Sequence, residues 1–281
     1  MKCALDGGVD EVIAITSNPV KLKISFPQSN RLIIVDIEDF FSQEYFFNPD
    51  TVFVNCLFPT NANGYQMADG LAKVNRCISW AKEAGATAIV NISSQSVYAS
   101  KRNHPATETD PLSLESVYAV GKYSSELYCD YVCNEIPHTN LRLSSLIGVG
   151  YDTRIANRLI AQAVNGKTVE IIGGMQRYGL LDVRDAASGI VEVARHSEYD
   201  WQYSYNLGSN ESINLIELTQ LIADVMDQYG VHMKYKVIDG LDERNSSINC
   251  NRFMRDFNWY PKISLRQSLT EIVEEKLAGV G

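Results

Sequence analysis

Five short apolar runs, each leading toward a polar or helix-patterned segment, constrain this chain more than any other feature. They fall at 11–15, 32–35, 51–56, 88–92 and 140–144. Runs of this length without strict alternation suit strands covered on both faces. Strands of that kind alternating with helices build a parallel, doubly wound α/β sheet. The spacing predicts helices over 67–83, from Ser116 onward, and over 155–165, where Gly166 is the stop. Residues 1–5 read as the tail of a helix closed by Gly7-Gly8, and 169–172 as a further strand.

The stretch from Ala88 to Lys122 also carries chemistry. Its apolar run ends in Ser93-Ser94-Gln95-Ser96-Val97-Tyr98, and the segment 116–122 opens the next helix. Tyr118 and Lys122 are four apart and share a helix face. A strand-end serine and such a Tyr/Lys pair can converge on one substrate hydroxyl. The phenol exchanges a proton with it, the ammonium favours phenolate, and the serine shares the proton by hydrogen bonding. With 15 tyrosines in the chain, a lone Tyr-x-x-x-Lys has a plain alternative, a helix with a surface lysine. The serines upstream favour the chemical reading.

With these motifs the chain resembles the extended short-chain dehydrogenase/reductase superfamily, in its NAD(P)-dependent nucleotide-sugar epimerase/dehydratase branch. Residues 142–148, ending in Ser145-Leu146-Ile147-Gly148, are similar to the family's Arg-x-x-Asn-x-Tyr-Gly segment with Ser145 and Ile147 substituted. Segments 173–177 with 181–187, 204–208 and 257–265 resemble its later landmarks, the last mainly a structural one. The resemblance implies a Rossmann-like nucleotide domain, 1–147 with 177–208, whose sheet gains a strand near 203–207. It also implies a smaller C-terminal substrate domain, 148–176 with 209–281.

The same resemblance implies roles for residues. Ser94, Tyr118 and Lys122 form the catalytic set, with Ser94 also touching substrate. The expected cofactor is NAD or NADP. Asp36-Ile37 meets its adenine (the alternative being that Asp36 merely ends a strand), Leu57 lies at the nicotinamide side, and Tyr118 and Lys122 reach the nicotinamide ribose. Thr16-Ser17-Asn18 lacks the acid that favours NAD, and Lys21 and Lys23 follow, so the choice of dinucleotide stays open. The expected substrate is a nucleotide-diphosphate sugar, and a homodimer is the assembly open to the chain. Arg177 is the candidate for the diphosphate, since a guanidinium matches paired phosphate oxygens. Arg244 is a second phosphate ligand or a plain surface charge. Dehydratases of the branch place Asp-Glu where this chain has Gln95-Ser96. Epimerisation or a carbonyl/alcohol interconversion is therefore favoured over dehydration.

The family opens with a strand and a Gly-x-x-Gly-x-x-Gly turn that receives the dinucleotide pyrophosphate on backbone amides. Gly7-Gly8 stands before the second strand instead, as a helix cap, so the expected architecture is an N-terminally truncated one. A start set too far downstream, a gene shortened in nature, and a rebuilt nucleotide site are the competing explanations. The first and last leave an enzyme. The second leaves a non-catalytic remnant that binds a nucleotide sugar or a partner subunit. If Met1 is the true start, the strands at 11–15 and 51–56 should flank an empty slot where a central strand belongs.

Composition narrows the partners. A net charge of −9 argues against nucleic acid or an anionic membrane as the main partner. No apolar run approaches the ~18 residues of a membrane helix. The six cysteines form no Cys-x-x-Cys and have no clustered histidines, so free thiols in a reducing cytoplasm, with no metal, are expected. The four histidines are scattered, and His104 reads as solvent-exposed.

Overall fold

The computed structural model describes residues 1–26, 29–42, 47–60 and 62–279. The chain opens with α1 (Lys2–Asp6), β1 (Val12–Thr16), α2 (Pro19–Ser25), β2 (Leu32–Asp36) and α3 (Ile37–Ser42). Next come β3 (Val52–Asn55), α4 (Gly64–Glu83), β4 (Ala88–Ser94), α5 (Val117–Val132) and β5 (His138–Leu143). All five apolar runs are thus strands, within two residues of the expected bounds. Helices α2 and α3 were not legible from periodicity. Asn18 caps α2 by accepting from the Lys21 amide at 3.0 Å, with Pro19 preset for its first turn. Asp36 does the same for α3, accepting from the Glu38 amide at 2.9 Å.

The rest is β6 (Ser145–Ile147), α6 (Ile155–Val164), β7 (Val169–Ile172), β8 (Arg177–Tyr178), β9 (Leu180–Asp182) and α7 (Val183–Arg195). Then follow β10 (Ser204–Leu207), β11 (Ile213–Asn214), α8 (Leu215–Asp227), β12 (Tyr235–Ile238), α9 (Asn251–Phe257) and α10 (Leu265–Ala278).

The main sheet runs β10-β5-β4-β3, every pair parallel. Adjacent β4 residues serve opposite faces. Ile89 packs with Val74, Ile78 and Ala81 of α4 and Cys129 of α5. Ala88 and Val90 pack with Ala186 and Val193 of α7. A buried ladder crosses three strands: Asn55 donates to Asn91 at 2.9 Å, and Asn91 to Asn140 at 2.8 Å.

As expected for strands that flank a slot, β1 and β2 form a separate parallel pair, and among the described residues β1 and β3 are not bonded to each other. All five β1 residues are half-buried, whereas Ala88, Ile89 and Val90 in β4 are fully buried. A departure concerns α9. Phe253, Phe257 and Trp259, expected with the smaller domain, pack against Tyr205 and Leu207 in the core of the main sheet. The other core gathers Leu159, Ile160, Leu218, Ile222, Leu269 and Ile272 from α6, α8 and α10.

Candidate active site

Ser94 is the last residue of β4, and its Oγ accepts from the Ser96 amide at 3.2 Å, turning the chain out of the sheet. Ser116 caps α5 by accepting from the Ala119 amide at 3.1 Å, which sets Tyr118 in the first turn. The Tyr118 hydroxyl lies close to the Ser94 side chain. Burial pushes the phenol above its usual range, and Ser94 and the nearby Arg154 charge oppose that rise. Lys122 is one turn on and only 5% exposed. Its Nζ donates to the Ile92 carbonyl at 2.7 Å and lies 5.8 Å from the Tyr118 ring centroid. Burial pulls this ammonium down to about 8, against the charges of Cys56 and Glu126.

The sequence reading did not give Phe58 a role of its own. Its ring lies 3.8 Å from Lys122 Nζ and meets the Tyr118 ring edge-to-face at 5.4 Å. Gly121 makes room for it, because a Cβ there would stand 2.4 Å from Met67 Sδ and 3.1 Å from the Phe58 ring. Behind the site, Glu126 is fully buried and takes Arg142 through three hydrogen bonds, the shortest 2.7 Å, while Ser93 also donates to it.

The other expected residues fall into two groups. Asp36, Ile37 and Leu57 lie at the C-terminal ends of β2 and β3, the edge where a doubly wound sheet receives ligands. Asp36 is engaged as the cap of α3, and the Leu57 amide donates to Asn55 at 3.2 Å. Arg177 and Arg244 are adjacent through the backbone, the Arg177 amide donating to the Arg244 carbonyl at 2.8 Å. Their guanidinium groups are held locally, Arg177 by Ser212 at 2.8 Å and Arg244 by Asp242 at 2.8 Å.

Neither arginine lines the cavity beside β6 and the start of α6. That cavity, about 190 Å³, is bounded by Ser145, Ile147, Thr153, Arg154, Tyr178 and neighbouring residues. Tyr178 faces it, and Arg177, next to it on a two-residue strand, points the other way, as strand alternation requires. The cation at the cavity is Arg154, which the sequence reading missed. It precedes α6 and makes no ion pair among the described residues. Only its place at the start of a predicted helix hinted at it.

An elongated dinucleotide along the strand ends needs partners at both of its ends. Tyr118 and Lys122 present a phenol and a buried ammonium suited to a ribose and its reacting ring. At the phosphate end, no glycine-rich turn leads into a helix N-terminus among the described residues. Gly7 and Gly8 lie past the C-terminal end of α1, the Gly7 amide donating to the Cys3 carbonyl. The residues fit the reacting end of the group and not its pyrophosphate.

Residues 2–208 match the family described as the NAD dependent epimerase/dehydratase family. UDP-glucuronic acid decarboxylase 1 of Arabidopsis thaliana is 27% identical over 207 residues, 69% of this chain and 46% of that protein. Its paralogue, UDP-glucuronic acid decarboxylase 2, is 24% identical over 69% of this chain and 45% of its own length. The chain therefore spans about half the length of the curated relatives it matches. The solved UDP-N-acetylglucosamine 4-epimerase of Bacillus cereus superposes with a TM-score of 0.79 at 16% identity, covering 97% of this chain and 90% of that one. The dTDP-glucose 4,6-dehydratase of Bacillus anthracis, solved in complex with NAD, gives 0.76 at 20% identity, over 99% and 94%. At such identities the likeness speaks for the fold, a Rossmann-like α/β architecture.

Proposed function

We propose, from the premise that the chain belongs to the NAD dependent epimerase/dehydratase family, that it interconverts an alcohol and a ketone on a nucleotide sugar. The observation that carries this reading is the closeness of the Tyr118 hydroxyl to Ser94 at the end of β4, with the buried Lys122 ammonium one turn behind. Bound NAD or NADP would supply hydride acceptance and return, held at its reacting end by Tyr118, Lys122 and Leu57 and beside its adenine by Asp36 and Ile37. Tyr118 takes the proton from the sugar hydroxyl, and Ser94 holds that oxygen in line. Burial opposes ionisation of the phenol, so the cations Lys122 and Arg154 make the proton transfer accessible. Gln95 and Ser96 offer no acid or base for removing water, which favours epimerisation or simple reduction over dehydration.

The cavity beside Tyr178 would take one part of the sugar nucleotide, with Arg154 toward its anionic groups. We assign substrate binding to residues 148–176 and the chain after 209, apart from α9. Arg177 and Arg244 stay in this reading as rim charges that can turn inward on binding. Exposed Val117, Val120, Leu127 and Tyr131 form one stripe on α5, which supports a homodimer through that helix. No helix of the described residues is long and apolar enough to cross a membrane, and the free cysteines suit a reducing, cytoplasmic setting.

The test is turnover. UDP-glucose, UDP-N-acetylglucosamine and UDP-glucuronic acid are incubated with the chain and NAD or NADP, and products are read by proton NMR. Tyr118→Phe should lower any turnover by about 10²–10⁴-fold with the fold intact. Equal rates in the variant would end the assignment of Tyr118. A second reading, a non-catalytic binder, is favoured by the poor fit at the pyrophosphate end. Titration of NADH followed by nicotinamide fluorescence separates the two: micromolar binding supports the enzyme, and no binding supports the remnant.

A further inference from the structure

Three asparagines lie side by side where a sheet interior ordinarily carries apolar residues. Asn55, Asn91 and Asn140 are direct register partners across β3, β4 and β5, and none is more than 3% exposed. Asn55 Nδ2 donates to Asn91 Oδ1 at 2.9 Å, and Asn91 Nδ2 to Asn140 Oδ1 at 2.8 Å. The backbone at each end sets the direction of this ladder. The Leu57 amide can only donate, and it meets Asn55 Oδ1 at 3.2 Å. The Tyr203 carbonyl can only accept, and it takes Asn140 Nδ2 at 3.1 Å. Both ends demand the same orientation of all three carboxamides. A slip of β4 by one residue would turn Asn91 to the other face and leave buried amide groups unpaired.

Asn91 is the hub, and its two arms reach two groups that meet at the candidate site. Toward β3, Asn55 holds the Leu57 amide and so fixes the chain as it leaves the strand, one residue ahead of Phe58. Toward α5, the second Asn91 Nδ2 hydrogen goes to Ser125 Oγ at 3.3 Å, and Ser125 donates to the Lys122 carbonyl at 2.8 Å. The Ile92 carbonyl that receives Lys122 Nζ at 2.7 Å belongs to the residue after Asn91. Lys122 is thus held at its backbone and at its ammonium from two neighbouring residues of β4. The Phe58 ring lies 3.8 Å from that ammonium. Asn140 joins this arrangement only through Asn91, and its own amide runs to Tyr203, just before β10.

We propose that Asn91 is a positioning residue for the Ser94-Tyr118-Lys122 centre. Its carboxamide ties the turn that carries Phe58 to the turn of α5 that carries Lys122, so that ring and ammonium are held in contact. Apolar residues at the three ladder positions would fill the space with no donor or acceptor to satisfy, but they would fix neither turn. Directional bonds in a low-dielectric interior do fix them, because each member is costly to leave unpaired once it is buried. The bearing of this on proton transfer rests on the proposed reaction, whereas the placement of Lys122 does not.

NMR titration of lysines labelled with ¹³C at Cε tests it in the 281-residue chain, the Lys122 signal being the one absent from Lys122→Met. The titratable groups facing Lys122 are Cys56 beyond β3 and Glu126 and Tyr118 of α5, and none of the substitutions that follow removes them. Asn91→Leu cuts both arms and should let water reach the ammonium, raising its proton affinity about tenfold. Ser125→Ala deletes one oxygen, spares the ladder and cuts only the α5 arm, so it should raise that affinity about threefold. This milder variant decides the matter even where Asn91→Leu does not fold. Asn140→Leu breaks buried bonds on the far side of the hub, and it should lower the urea midpoint while leaving Lys122 unchanged. An unmoved Lys122 in Ser125→Ala would overturn the proposal. So would an equal shift in Asn140→Leu, since any loosening of the sheet would then open the site. The titration reads placement whether or not the chain turns over a sugar, so its failure is separate from failure of the proposed reaction.

Discussion

The Lys122 ammonium lies 3.8 Å from the centroid of the Phe58 ring. The ring acts on it in two opposing ways, attracting the cation by about 0.5–2 kcal/mol and keeping water away. The fall of Lys122 from 10.5 to about 8 corresponds to roughly 3 kcal/mol against the charged form, so exclusion of water wins. Phe58→Ala should therefore raise the Lys122 pKa toward the ordinary lysine value, as followed by NMR of the ¹³C-dimethylated side chain. A further fall would mean that the ring's attraction dominates.

The same shift predicts a pH dependence of stability. The folded value of about 8 lies below the unfolded 10.5. Between the two, the unfolded chain holds the extra proton and stability rises with pH. Below about 8 the burial penalty is present in full. The unfolding free energy of the protein, taken relative to Lys122→Met, should gain about 2 kcal/mol from pH 7 to pH 10. Paired urea melts measure it, and a flat difference would contradict a buried ammonium.

Glu126 and Arg142 form a buried pair at 2.7 Å, and the same guanidinium also donates to the Tyr98 hydroxyl at 3.0 Å. Glu126→Ala leaves an unpaired buried cation and should cost about 3–5 kcal/mol. Replacing both, Glu126→Leu with Arg142→Met, should recover most of that loss in denaturant unfolding. A double variant as unstable as the single one would place the cost in packing instead.

Arg154 borders the cavity while Arg177 is held by Ser212. Charge-assisted hydrogen bonds are worth about 1.5–3 kcal/mol, so Arg154→Ala should weaken UDP-sugar binding by roughly tenfold to a hundredfold. Arg177→Ala and Arg244→Ala should change it about threefold or less, at a threshold near 0.6 kcal/mol. Isothermal titration measures all three, and the reverse ranking would restore the arginines chosen from the motif.

Local periodicity carried what the sequence determined unaided. The β-strands at 12–16, 32–36, 52–55, 88–94 and 138–143 follow from runs of apolar neighbours, and the pairing of Tyr118 with Lys122 follows from the four-residue helical repeat. Ser94 was legible because it ends an apolar run just before that helix. Tertiary structure decided the rest. Arg177 and Tyr178 differ by one residue, and only the pairing of β8 with β11 settles which of them faces the cavity. Phe58 reaches the site from 60 residues before Tyr118, and Arg154 from 36 residues after it. The division of the sheet at β1 and β3 likewise depends on hydrogen bonds between strands about 40 residues apart. Periodicity records which face of its own element a residue takes. Register and packing between distant elements arise only when the cores form, because those energies belong to pairs of segments and not to either one.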